Sequence, residues 1–214
     1  MKRIKVCFAG DASVGKTSII KSYMDHSIDT VQATVGVEIN DVISLKSPKG
    51  EEVQLNVWDT AGQESFKNLV PMFFRECNVC VLVCSQDSPA TIEHLSEWSR
   101  SVTNQSEKCQ FIIAVNKCDL PAAEGVDDSF IDRHVYDMMP LNIFRTSART
   151  KQGIQELFQF IAETDQILYY PGQQNPILVE PSQEKPKSWL SYIPSCWTIF
   201  FLTWNFLVTL SVHL

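Results

Sequence analysis

Apolar residues along this chain fall into strand-length runs separated by stretches of helical period. Ile4, Val6 and Phe8 form a β-branched and apolar run that leads into Gly10, and Ser18–Tyr23 carries a helical pattern. Val37–Leu45 and Val53–Trp58 read as two more strands. Between them, Ser47-Pro48-Lys49-Gly50 has Pro at the second and Gly at the fourth position of a type I turn, which predicts a hairpin. Val79–Ser85 and Phe111–Asn116 are nearly all apolar, as parallel strands covered on both faces are. Ile143–Ser147 is a shorter sixth. Ser88-Pro89 supplies a helix N-cap and an N1 proline, followed by Ile92, Leu95, Trp98 and Val102 on one stripe. Ile131, Val135 and Met138 mark a helix after the loop at 120–127, and Ile154, Leu157, Phe158, Ile161 and Leu168 mark the last. Strands that alternate with helices predict a doubly wound α/β fold. Its sheet has six strands, mostly parallel, with one antiparallel hairpin strand at the edge and about five helices around it.

The periodic pattern covers residues 1–168 and defines one domain. Residues 27–36 are polar with no apolar period and read as a mobile loop. Tyr169-Tyr170-Pro171-Gly172 closes the pattern, and residues 169–192 have the Pro, Gln and Ser content of a disordered linker. A hydrophobic segment, 193–214, completes the chain. Trp189–Leu214 contains no Lys, Arg, Asp or Glu.

Composition narrows the classes. The net charge of −7 leaves no basic stripe for nucleic acid. Met1-Lys2-Arg3-Ile4-Lys5 resembles the basic start of a signal peptide, but the apolar stretch after it ends at Gly10-Asp11, too short for the hydrophobic core of one. The N-terminal part is expected in the cytosol. Seven cysteines, an odd number in apolar surroundings, fit free thiols in a reducing compartment. Cys77-Asn78-Val79-Cys80 has no second pair to complete a zinc site, so core packing accounts for it.

Candidate chemistry begins at Gly10-Asp11-Ala12-Ser13-Val14-Gly15-Lys16-Thr17, which Ser18 follows. A glycine, four residues, then Gly-Lys-Thr between a strand and a helix is the pattern of a phosphate-binding loop. Gly10 and Gly15 let backbone N–H groups approach phosphate oxygens at the positive end of a helix. Lys16 would reach the β- and γ-phosphates, and the Thr17 hydroxyl would ligate Mg²⁺. Asp59, at the end of the third strand in Trp58-Asp59-Thr60-Ala61-Gly62-Gln63-Glu64, can hold that ion through a water. Gly62 can offer its N–H to the γ-phosphate, and Gln63 can orient an attacking water. In Asn116-Lys117-Cys118-Asp119, the Asp119 carboxylate can accept both the N1–H and the 2-amino hydrogens of guanine. Adenine has neither, so discrimination of about 10⁴ follows from one hydrogen-bonding demand. Asn116 and Lys117 would brace the base and the loop, and Ser147-Ala148-Arg149 can place a backbone N–H on the guanine O6.

These motifs, in this order and with Thr34 before the second strand, resemble the Ras superfamily of small GTPases over residues 2–168. Thr34-Val35-Gly36-Val37-Glu38-Ile39 and Trp58–Phe66 look most like its Rab branch, which regulates vesicle traffic. The resemblance implies that Thr34 joins Mg²⁺ and the γ-phosphate when GTP is bound. It also implies that residues 27–39 and 60–75 are switch segments, contacted by effectors, an exchange factor and an activating protein. Hydrolysis would be in-line attack of water on the γ-phosphate, with Gln63, Lys16 and Thr34 as its catalytic residues. No arginine occurs between residues 4 and 74, so neither the loop nor the first switch supplies a finger, and dependence on an activating protein is expected. The alternatives are a non-cycling nucleotide-binding interaction module, against which Thr17, Thr34, Asp59 and Gln63 argue for the cycling enzyme, and a switch of the Ras superfamily outside the Rab branch. An ATP-using kinase is disfavoured by Asp119 and by the absence of a lid.

The chain departs from that family's pattern in four places. Where its members carry an aromatic over the guanine stands Ser27, beside Ile28, which predicts faster nucleotide exchange. Ile39 stands where Rab proteins usually have Phe, and Phe73-Phe74-Arg75-Glu76 where they have Tyr-Tyr-Arg-Gly. At the C-terminus, no cysteine occupies the position a prenylation box needs, and Cys196 lies eighteen residues from the end. Ile193–Leu214 as a helix would be about 33 Å long, enough to cross a hydrocarbon core. It reads either as a tail anchor that holds the domain on the cytosolic face of an intracellular membrane, with Lys185 and Lys187 on the cytosolic side, or as a non-homologous end from splicing or read-through. Pro194, Asn205 and several Ser and Thr dilute it.

Overall fold

The computed structural model describes residues 2–28, 37–47, 50–60 and 73–164, with the backbone alone for 37–41. Its elements are β1 (Lys2–Ala9), α1 (Lys16–Tyr23), β2 (Val37–Lys46), β3 (Glu52–Thr60), β4 (Val79–Ser85), α2 (Pro89–Glu93), α3 (Leu95–Thr103), β5 (Gln110–Asn116), α4 (Asp128–Val135), β6 (Ile143–Arg145) and α5 (Ile154–Thr164). The six strands form one sheet in the order β2-β3-β1-β4-β5-β6, antiparallel only between β2 and β3. The predicted fold class is the observed one. The linker and the hydrophobic segment, 169–214, lie outside the described residues. So does most of the loop at 27–36.

Strand alternation sorts the apolar residues between two cores. Ile4, Val6 and Phe8 of β1, Val79, Val81 and Val83 of β4, and Ile112 and Ala114 of β5 face α1 and α5. Cys7, Ala9, Cys80, Leu82, Cys84, Ile113 and Val115 face α3 and α4. A period of two in strands buried on both sides does this without further instruction. On the first face, Phe158 stacks on Tyr23 at 4.0 Å and on Phe8 at 6.0 Å between ring centroids. On the second, the cysteines are free thiols, five of them buried. Burial pushes the Cys84 thiol up to about 12.

Four details differ from the sequence expectation. The helix foreseen from Ser88 onward is broken at His94 into α2 and α3. Ser88 occupies the cap position with extended backbone, but its hydroxyl makes no cap bond; Thr91 donates to its carbonyl instead, at 2.7 Å. Met138 lies in a 3₁₀ turn, Tyr136–Met138, and Met139 takes φ 44°. Pro140 follows, and the residue before a proline is driven out of helical conformation. The sixth strand stops at Arg145, because Thr146 and Ser147 turn to bonds with Asn116 and Asp119. In the hairpin turn, Gly50 N–H donates to the Ser47 carbonyl at 2.8 Å, while Pro48 and Lys49 lie outside the described residues.

Candidate functional site

The loop from Gly10 to Gly15 leaves β1 at the C-terminal edge of the sheet. A Cβ on Gly10, whose φ is +144°, would lie 2.1 Å from the Val83 carbonyl oxygen, and one on Gly15 would lie 2.3 Å from Asn116 Nδ2. Only glycine fits at either end. Between them Ser13 takes φ 61°, strain of the kind that collects at functional turns. Ala12 and Ser13 are exposed, Val14 is buried in the first core, and Ser18 is half-buried in α1. Lys16 is 6 % exposed, and its Nζ donates to the carbonyls of Gly10 (2.8 Å) and Asp11 (2.7 Å). Burial lowers its pKa to about 8, against the attraction of Asp59 and Asp11.

The register of β1 against β3 pairs Phe8 with Asp59 and so brings that carboxylate beside the loop. Thr17 Oγ1 donates to Asp59 Oδ2 at 2.5 Å. A hydroxyl and a carboxylate brought together from two elements are hard oxygen donors, and they fit a magnesium ion. Thr34, Gly62 and Gln63 lie outside the described residues, with most of 27–39 and 60–75.

The second half of the site is built by β5 and the turn after β6. Asn116 Nδ2 donates to the Val14 carbonyl at 2.8 Å, and its Oδ1 accepts from Thr146 Oγ1 (3.2 Å) and the Ala148 N–H (3.3 Å). One side chain thus ties the phosphate-type loop to two segments remote in sequence. Asp119 accepts from Ser147 Oγ at 2.6 Å, and Ser147 Oγ accepts from Thr150 N–H at 3.1 Å. Lys117, at φ 59°, pairs with Asp87 at 3.3 Å. A hydrogen bond from the Ser85 hydroxyl, with Lys117 adding to it, holds the Asp87 carboxyl below its usual range. Ala148 is buried and Arg149 exposed. The loop and the Asn116–Asp119 turn therefore meet.

Sequence reasoning missed the partners that hold these groups. Asp11 Oδ1 accepts from Trp98 Nε1 at 2.8 Å, and its Oδ2 lies 2.7 Å from His94 Nδ1. Thr146 and Asp87 were not singled out either. No local signal marks any of them, since each acts across thirty residues or more.

A cleft of about 850 Å³ between α3 and the α4 turn, lined by Arg100, Cys109, Phe111, His134 and Met138, opens at the N-terminal ends of the strands. Ligands of open α/β sheets bind outside the carboxyl ends, where the loops just described converge. Chemically, those loops combine backbone N–H groups and a lysine for an anion, two oxygens for a hard cation, and a carboxylate for a donor edge.

Six strands in this order, with a glycine-lysine loop joining β1 to α1, define the P-loop GTPase fold. A sequence model of the Ras family matches residues 5–166, and the chain belongs to that family of small GTP-binding switches. Members generally bind GTP, GDP and Mg²⁺ and work with activating proteins, exchange factors and effectors.

Proposed function

We propose that this chain is a GTP-hydrolysing switch of the Rab type, acting in membrane traffic. The observation that carries the nucleotide reading is Asn116, which joins the phosphate loop through Val14 to the turn carrying Ser147 and Ala148. It makes one pocket of a triphosphate-type loop and the Asp119 carboxylate, which accepts from Ser147. In this reading the main chain of Gly10–Ser18 and the Lys16 ammonium hold the β- and γ-phosphates, and Asp119 takes the guanine edge. Thr17, Asp59 and Thr34 hold Mg²⁺, which supplies charge neutralisation at the phosphates. Gln63 orients the water, and Thr34 and Gly62 make the γ-phosphate the latch of both switches. Hydrolysis is slow alone, on the order of 10⁻⁴ to 10⁻² s⁻¹.

The Rab assignment is supported by the tracts around Thr34 and Trp58. Trp58 carries the Lys5 ammonium 4.4 Å from its ring and Phe73 at 6.0 Å, an aromatic face beside the second switch for effectors. Ile193–Leu214 is proposed as the anchor on the cytosolic face of an intracellular membrane.

Nucleotide content and turnover of the purified chain test the first part. Asp119→Asn should exchange a guanine preference for xanthine, which presents a carbonyl where guanine has its amino group. GTP and ATP bound equally by the unaltered chain, or turnover of several per second alone, would overturn the reading. Carbonate extraction of membranes with and without residues 189–214 tests the anchor; a chain released equally in both forms has none.

A further inference from the structure

A carboxylate in a phosphate loop is a poor neighbour for phosphate. Asp11 sits one residue after Gly10, and its own carbonyl accepts from the Lys16 ammonium at 2.7 Å. A free Asp11 side chain would have that lysine within electrostatic reach, since Asp11 already favours its charge. Engaged there, the carboxylate would compete with phosphate for Lys16 and repel the incoming anion. Neither oxygen is left to do so. Oδ1 accepts from the indole N–H of Trp98 at 2.8 Å, and Oδ2 meets His94 Nδ1 at 2.7 Å. A carboxylate only accepts, so His94 Nδ1 carries the hydrogen. Trp98 is 5 % exposed on α3, and His94 stands at the one-residue break between α2 and α3.

We propose that His94 and Trp98 are positioning residues that hold the Asp11 carboxylate off Lys16, and that this tether favours GTP over GDP in the loop. The inference rests on the phosphate-loop reading above. Both nucleotides place a β-phosphate against Lys16, but only GTP adds the γ-phosphate, so a loosened carboxylate disfavours GTP more.

The test compares dissociation of GDP and of a non-hydrolysable GTP analogue from the full chain. In His94→Ala/Trp98→Phe the analogue should leave about five- to tenfold faster relative to GDP than in the wild type, the effect of one partly screened like charge. Adding Asp11→Asn should return the ratio to the wild-type value, because the charge is gone. His94→Ala alone, at a half-exposed side chain, should move the ratio the same way by less, and it keeps the test open if the double variant does not fold. Equal acceleration of both nucleotides, or no rescue by Asp11→Asn, would overturn the tether. A wild-type chain that holds no guanine nucleotide would overturn the site reading and the tether with it.

Discussion

Lys16 shows what burial asks of a single side chain. Desolvation lowers its pKa to about 8 in the nucleotide-free site, while bound phosphates favour its charged form. Nucleotide binding above that pH therefore takes up a proton, and affinity falls as pH rises. Calorimetry at pH 8.5 in buffers of different ionisation enthalpy should register roughly three quarters of a proton, and almost none at pH 6.5. A buffer-independent heat at pH 8.5 would contradict it. Ser27 bears on the base instead, at the position where the Ras-type pattern carries an aromatic. It is exposed, and its neighbour Ile28 is partly buried against the first core. Ser27→Phe should slow GDP dissociation by about fivefold or more, the worth of one aromatic stacked on a base. An unchanged off-rate would show that the base is covered by something else.

Among the elements, α5 closes the first core through Phe158, fully buried between Tyr23 and Phe8. Phe158→Ala should cost about 3–5 kcal/mol in urea unfolding, since a ring-sized cavity has no neighbour free to fill it. A loss under about 1 kcal/mol would mean that the site collapses. The same scale explains what could be read beforehand. β4 and β5 are legible because buried parallel strands write their nature in consecutive apolar residues, and β1 because Ile4, Val6 and Phe8 alternate ahead of Gly10. Pro140 marks where the turn after α4 stops, because it drives Met139 out of helical conformation although Met138 keeps the apolar spacing. The break at His94 is not legible, because the stripe from Ile92 to Val102 runs straight through it. His94 meets Asp11, 83 residues away in sequence, and no local pattern carries that. The candidate site divides likewise: Gly10–Thr17 is local and readable, whereas Asn116 on Val14 spans 102 residues and is visible only as a motif.

At the scale of the whole molecule, the site is held by loops from β1, β3, β5 and β6, so nucleotide and fold are thermodynamically linked. Of the five buried thiols, Cys7, Cys77, Cys80 and Cys84 lie deepest, with Cys109 9 % exposed, and Cys118 is half-buried. Iodoacetamide should modify Cys118 first among the described cysteines and the deepest four only through global opening. Nucleotide at a hundred times its Kd adds about 2.7 kcal/mol, so labelling of the four should slow about a hundredfold. Mass spectrometry of the labelled peptides reads both rates. Buried thiols that react as fast as Cys118 would place them outside the cooperative core.

The order of the sheet also has a consequence on the ribosome. β1 is made first but lies between β3 and β4, so its second edge waits for a strand that ends at Ser85, 76 residues after Ala9. At 5–20 residues per second that wait is about 4–15 s. Asn116, Ser147 and α5 come later still. For that interval the nascent chain carries an apolar strand with an open edge that neither nucleotide nor α5 can cover, a species of the kind chaperones bind.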